Sequence, residues 1–329
     1  MTDAATINDI RAAAIRLKGN ARVTPMLESP FLNEIAGRRV LVKPECLQRT
    51  GSFKFRGGWS AVSAIPEQDR ARGVIAYSSG NHAQGVAHAA ELHGVPAVIV
   101  MPEDAPALKL ANTAAHGAEV VTYDRPGGES REEIGEAIAA ERGLTLIRPY
   151  DEPMVMAGQG TCGLEIAAQA RDAGVEEADV LVCCGGGGLT SGIALALEAD
   201  APGLRARPVE PESSDDVARS LASGHREQNA GPITSICDAI VTPSPGELTF
   251  PVMQRLCGPG LTVSDAEALR AMAQIFLRLK LVAEPGGAVA MAAALYRKDR
   301  IEGDAVICTI SGGNADPAMF ARALATLES

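Results

Sequence analysis

Eight short β-type runs punctuate the chain, starting near residues 39 (RRVLVK), 74 (VIAYS), 96 (PAVIV), 119 (EVVTY), 144 (LTLI), 180 (VLVCC), 205 (RARPVE) and 305 (AVICTI), with helical stretches filling most of the gaps. Strands that alternate with helices are joined by crossovers, and a crossover returns the chain to the same sheet edge in the same direction. The pattern therefore predicts an α/β protein built on mostly parallel sheets covered by helices. The units beginning near 74, 96 and 119 recur at about two dozen residues, short for a βα repeat, which predicts one compact lobe. Its expected span is 48–146, and residues 1–47 with 147–329 form a second, larger lobe. The stretch from about 211 to 262 carries six prolines and little periodicity, and reads as a winding excursion within that larger lobe. Ser264 and Glu267 then open a helix whose Leu269, Met272, Phe276 and Leu279 form a core face, and Thr6 with Asp9 caps an earlier helix.

Composition narrows the partners. A 329-residue chain, 46% hydrophobic and 22% charged, can bury a sizeable core, and its formal net charge of -11 with no basic block argues against nucleic acid. The expected partner is a small molecule. The seven cysteines (46, 162, 183, 184, 237, 257, 308) are odd in number and contain no C-x-x-C pair, which suits a reducing cytoplasm. No apolar run approaches the roughly 18 residues of a membrane span, and the N-terminal segment lacks an apolar signal core.

Chemistry concentrates at the turns. In GSFKFRGG (51–58), Lys54 is one of only six lysines, flanked by two aromatic rings and closed off by glycines. Burial disfavours an ammonium, so such an amine can serve as nucleophile or base near neutral pH, although a lysine can also lie along a core edge with its head in water. GGGG (185–188) follows the strand VLVCC and precedes a helix, so the backbone can aim N–H groups at one anion. A nicotinamide dinucleotide site is the alternative, since Glu210 stands about 20 residues on, where such sites place an acid. YSSGNHAQG (77–85) gathers hydroxyl, amide and N–H donors at a helix start, suited to a carboxylate or to ordinary capping. SGGN (311–314) and EPGGA (284–288) are further glycine turns, while His88, His93, His116 and His225 show no ligand spacing and read as structural.

Taken in order, SFKFRGG, SSGNHAQG, GQGT (158–161), GGGGLTSG, VAEPGGA and SGGN resemble the fold-type II pyridoxal-phosphate enzymes, in particular the serine/threonine dehydratases (ammonia-lyases) and serine racemase. The resemblance implies a cleft between the two lobes that holds pyridoxal 5'-phosphate. Lys54 would bond covalently to the cofactor aldehyde and later take the substrate α-proton, with Phe53 against the ring and Ser79 poised on the opposite face. Ser78, Ser79, Asn81 and the backbone of His82 would hold the substrate carboxylate, with Asn81 also reaching the cofactor. Gly185, Gly186, Gly187, Gly188 and Leu189 would offer N–H groups to the phosphate, Ser311 would face the pyridine nitrogen, and Glu284 would complete the cofactor contacts.

The same resemblance implies a divalent cation, Mg2+ or Ca2+, held by Glu210, Asp216 and the carbonyl of Ser214. Hard oxygen donors suit such ions, and a solvated acidic helix start is the plainer reading. Arg131 and Arg148 are departures from the pattern. Either could meet a second substrate carboxylate, as bidentate recognition favours arginine, or form a surface ion pair. The activity implied is α,β-elimination of water from a small L-3-hydroxy amino acid of the threonine or serine type, giving a 2-oxo acid and ammonia. A 3-hydroxyaspartate dehydratase and a serine racemase are alternatives on the same scaffold, and an NAD-dependent oxidoreductase using the 185–188 turn and Glu210 is the alternative of another class. Relatives imply a homo-oligomer, dimer or tetramer, and the regulatory domain of the longer threonine dehydratases is expected to be missing.

Overall fold

The computed structural model describes residues 4–78, 80–105, 107–231 and 234–327. The chain opens with α1 (Ile7–Leu17), whose Thr6 and Asp9 form the expected capping box, then β1 (Leu27–Glu28), α2 (Pro30–Ala36) and β2 (Arg39–Pro44). Helix α3 (Lys54–Ala64) and the short α4 (Glu67–Arg70) lead into strict alternation: β3 (Val74–Tyr77), α5 (Asn81–His93), β4 (Ala97–Pro102), α6 (Ala107–Ala115), β5 (Glu119–Tyr123), α7 (Arg131–Arg142) and β6 (Thr145–Leu146). The long α8 (Pro153–Asp172) follows, then β7 (Ala178–Cys183), α9 (Gly188–Asp200), β8 (Leu204–Pro211), α10 (Asp216–Ser223), α11 (Thr249–Leu256) and β9 (Leu261–Val263). The chain closes with α12 (Asp265–Leu279), α13 (Pro285–Tyr296), β10 (Ala305–Ile310) and α14 (Pro317–Ala325).

Two sheets result. One has the order β5-β4-β3-β6 and is parallel throughout; the other has the order β1-β2-β10-β7-β8-β9, with only β1 antiparallel. Every predicted β-type run is a strand. β1 and β9, at two and three residues, are too short for any period to announce them. The last strand in sequence, β10, inserts between β2 and β7, so the strand order switches there, and in open α/β sheets ligands bind beyond the carboxyl ends of strands at such a point. The turns GGGG and SGGN leave β7 and β10 at that end, and the run YSSGN leaves β3 of the other sheet.

Close helix packing brings the two sheets together. GQGT lies inside α8, where a side chain on Gly158 would strike the Arg56 carbonyl and one on Gly160 would meet Ile10 and the Gly192 carbonyl, so α8 is clamped between α3 and α9. Gly58 and Gly85 let α3 and α5 touch backbone to backbone in the same way. A buried ion network pins α3 from below: Arg56 donates to Glu45 and Glu165 at 2.7 Å each, and Lys43 donates to Glu165 at 2.6 Å. In α12 the capping box of Ser264 and Glu267 forms as expected, but the buried face is Ala268, Ala271, Met272 and Ile275. Phe276 is displaced outward and packs edge-on against Phe320 of α14, with ring centroids 5.4 Å apart. Among the described residues, no helix is long and apolar enough to cross a membrane.

Candidate active site

Lys54 is the first residue of α3, and the segment before it is stitched to the end of β10. Phe53 donates its amide to the Ser311 carbonyl (3.1 Å), Gly313 donates to Gly51 (2.9 Å), and Ser52 bridges Gly312. Two loops more than 250 residues apart in sequence are thus fixed in register at the cleft. The Lys54 Nζ donates to the Pro149 carbonyl at 2.7 Å and sits 5.2 Å from the centroid of the Phe53 ring. Burial, and then the nearby Arg131 guanidinium, pushes this amine down to about 8, so a substantial neutral fraction exists near physiological pH.

Opposite stands the polyglycine turn. Side chains at Gly185 and Gly188 would meet the Ile240 carbonyl and the Tyr150 backbone at 2.7 and 3.0 Å, and one at Gly186 would enter the Tyr150 ring. Gly187 has φ of +93°, a left-handed conformation that glycine adopts without strain. The turn holds its shape through the Gly186 carbonyl, which accepts from Thr249 Oγ1 (2.6 Å) and the Gly246 amide (3.1 Å). The first amides of α9 have no intrahelical acceptor, and residues 188–190 border the cleft, which makes this helix start a built anion site. The cavity between turn and lysine encloses about 910 Å³ counting its open mouth, and Phe53, Lys54, Asn81, His82, residues 185–189 and Glu284 all line it.

The start of α5 supplies the third wall. Asn81 donates to Glu284 (2.5 Å) and accepts from Asn314 (2.7 Å), so three loops are tied through one amide. Burial pushes the Glu284 carboxyl up to about 7. His82 is buried and bonded through Nε2 to the Ile147 carbonyl (3.0 Å), and desolvation, reinforced by Lys54, lowers it to about 3, so the ring is neutral and its Nδ1 has no partner among the described residues. Ser78 borders the cavity and accepts from the Gly80 amide at 3.2 Å. Ser79 lies outside the described residues. Ser311 is buried behind the wall with its side chain against the Cys183 thiol, and Cys183 rather than Ser311 reaches the cavity surface.

Residues 17–313 match the model of the family described as "Pyridoxal-phosphate dependent enzyme". The chain belongs to that family. Its relatives include an L-threo-3-hydroxyaspartate ammonia-lyase of Saccharomyces cerevisiae, 44% identical over 96% of this chain and 95% of the relative. A serine racemase of Schizosaccharomyces pombe is 40% identical over 97% of each chain. Among solved structures, a T.th. threonine deaminase superposes with a TM-score of 0.88 at 44% identity, covering 94% of this chain and 99% of that one. The architecture is that of the fold-type II pyridoxal-phosphate enzymes, and the chain is a pyridoxal-phosphate dependent lyase of this family. The cleft fits such a cofactor on its own terms: an amine with a lowered pKa, an aromatic ring beside it, and a cradle whose shape any Cβ would spoil.

With the family fixed, the two arginines separate. Arg148 is exposed and pairs with Glu136 at 2.9 Å, as a surface arginine does. Arg131, at the start of α7, lines the cavity, lies 5.8 Å from the Tyr77 ring centroid and is close enough to depress both Lys54 and His82. It also pairs with Glu132 (2.8 Å) at the rim. Sequence reasoning missed Tyr150, Lys109 and Asp238, which also line the cavity, with Lys109 and Asp238 3.5 Å apart across the cleft. Tyr150 sits two residues after Arg148 in the same turn, but nothing in the turn's spacing marks it.

Glu210 is absent from the cavity wall. Its carboxylate accepts from the amides of Val217 (3.0 Å) and Ala218 (2.7 Å) at the start of α10, which leaves it unsuited to bind a ribose in the cleft. Asp216 is buried nearby with Oδ2 unpartnered among the described residues, while Oδ1 accepts from Asn229 at 2.5 Å. Burial raises Asp216 to about 6, and burial with the charge of Asp216 holds Glu210 well above the carboxylate range. Two mutually repelling buried acids with an orphaned oxygen are an arrangement that a divalent cation would relieve.

Proposed function

We propose that this enzyme eliminates water from a 3-hydroxy amino acid carrying a second carboxylate, L-threo-3-hydroxyaspartate, to give 2-oxobutanedioate and ammonia. The observation that carries the choice is Arg131, a guanidinium that lines the same cleft as Asn81 and His82 at the start of α5. Threonine and serine have no second carboxylate to offer it. The similarity to the yeast 3-hydroxyaspartate ammonia-lyase supports the same substrate. Bound pyridoxal phosphate supplies an electron sink conjugated to the substrate amine, which makes the α-proton removable.

The protein does the rest. The α5 amides with Ser78, Ser79, Asn81 and His82 hold the α-carboxylate, and Arg131 takes the β-carboxylate. Residues 185–189 hold the phosphate at the N-terminus of α9, while Phe53 and Glu284 border the ring and Ser311, buried behind Cys183, would reach the pyridine nitrogen only if that wall shifts when the cofactor binds. Lys54, neutral in part at pH 7, accepts the α-proton. The Cβ–O bond then breaks and hydroxide leaves as water once protonated. The released enamine tautomerises and hydrolyses to oxo acid and ammonia. With Ser79 as a second base, the role the family resemblance implies for it, racemisation is a side reaction. Glu210, Asp216 and the Ser214 carbonyl hold Mg2+ or Ca2+ as a structural ion outside the cleft. Residues 48–146 form the smaller lobe, which closes over the substrate and excludes water. The working form is a cytoplasmic homodimer or homotetramer.

The test is a substrate panel. Purified holoenzyme is incubated with L-threo-3-hydroxyaspartate, L-threonine and L-serine while ammonia and the enantiomer remaining are followed. Arg131→Gln should lower kcat/KM for hydroxyaspartate by about 10–10²-fold, the worth of one charge-assisted pair, and change serine turnover by less than about threefold. An equal loss on serine, or a wild-type preference for threonine, would overturn the assignment.

A further inference from the structure

We infer that α5 carries a second metal site, unrelated to the cleft, in which His88, Glu91 and His116 bind one Zn2+-class divalent ion. His88 and Glu91 stand one helical turn apart on α5, and the turn after α6 brings His116 against them. A single carboxylate oxygen, Glu91 Oε2, receives both rings: His88 Nδ1 at 2.9 Å and His116 Nδ1 at 2.8 Å. The two imidazoles are stacked at a tilt, centroids 4.6 Å apart, and the three donor atoms lie within 4.8 Å of one another. A tetrahedral ion bound at ~2.0–2.1 Å holds its donors roughly 3.4 Å apart, so this set needs a shift of well under an ångström on most pairs.

The donor chemistry selects the ion. Two imidazole nitrogens with one carboxylate oxygen suit zinc, cobalt or nickel, whereas the all-oxygen pair at Glu210 and Asp216 suits harder ions. His88 is also oriented from behind, its ring 5.5 Å from that of Phe55, the residue after Lys54. Both rings are half-buried and Glu91 is exposed, so an ion would find three protein donors on one side and water on the other. That geometry, and the absence of these residues from the cavity wall, marks a structural or regulatory site.

The experiment uses chelator-treated, cofactor-loaded enzyme, titrated calorimetrically with zinc chloride in excess Mg2+, which occupies any hard-ion site. One equivalent should bind to the wild type at least tenfold more tightly than to His116→Gln or Glu91→Gln, and zinc should raise the unfolding temperature of the wild type alone. Both substitutions lie outside the cleft and should leave zinc-free activity unchanged; if one variant folds poorly, the other carries the comparison. Equal zinc affinity in the variants, which would place the ion on cysteines or in the cleft, overturns the site. So does no binding to the wild type.

Discussion

At the scale of single residues, Lys54 and Glu284 are held on opposite sides of their ordinary titration ranges by the same burial. Capture of pyridoxal phosphate by cofactor-free enzyme needs the neutral amine, so its rate should rise with pH through a midpoint near 8 rather than 10.5. Arg131→Gln removes the second cause of the depression and should move that midpoint upward. Absorbance changes on adding the cofactor across a pH series measure both, and a wild-type midpoint near 10.5 would contradict the cleft electrostatics. Glu284 behaves oppositely. It holds its proton to about pH 7 in the fold but only to 4.5 when unfolded, so its contribution to stability falls as pH rises from 4.5 to 7. Glu284→Gln should therefore stabilise cofactor-free protein by roughly 3 kcal/mol above pH 7 and by nothing near pH 4, measured by denaturant unfolding. Lys54 was legible in the sequence because two aromatic neighbours and flanking glycines announce a buried amine. Arg131 and Arg148 looked alike because an arginine's role depends on whether Glu132, Glu136 or the cavity faces it, which spacing does not encode.

At the scale of elements, the motifs divide into those that touch the cleft and those that let elements approach. GGGG is both. Its amides face the anion site, and Gly186→Ala would drive a methyl into the Tyr150 ring, so cofactor affinity should fall by at least tenfold while the fold, read by circular dichroism, persists. Unchanged affinity would mean that Tyr150 moves freely. GQGT is only the second kind, a mid-helix contact, and sequence order gave no way to tell it from a ligand loop. Helix α3 depends on charge as well as on packing. Arg56 is 1% exposed and neutralises Glu45 and Glu165, so Arg56→Met leaves the buried Glu45 without its ion-pair partner and Glu165 with Lys43 alone, and should cost about 3–5 kcal/mol in denaturant unfolding. The strands with clear apolar runs were legible, whereas β1 and β9 were not, being set by their neighbours. Phe276 fell outside the core because alanines at 268, 271 and 273 let α12 pack closer on a different face. His88 and His116, 28 residues apart, meet only because α6 packs beside α5, so no ligand spacing could reveal them.

At the scale of the molecule, the two sheets differ in how deeply they are built in. β10 is buried along all six residues and flanked by β2 and β7, and the alanine-rich α13 packs on it with every residue from Pro285 to Leu295 buried. β5 is an edge strand with only Tyr123 buried, and β6, at the other edge of that sheet, has two residues. Opening free energy follows buried contacts and protected hydrogen bonds, so the four-stranded sheet should open locally before the six-stranded one. The smaller lobe, proposed to close over the substrate, would then be the more weakly held of the two. Hydrogen exchange followed by mass spectrometry should show amides of β7 and β10 protected at least a hundredfold more than those of β5, with bound cofactor adding protection at 185–189. Lys109 and Asp238 bridge the cleft at 3.5 Å with Asp238 well exposed, a pair worth under about 1 kcal/mol, so Asp238→Asn should leave this ranking intact. Uniform protection across both sheets would mean that the molecule opens as one unit, and closure would then have to arise within loops rather than from a difference between the lobes.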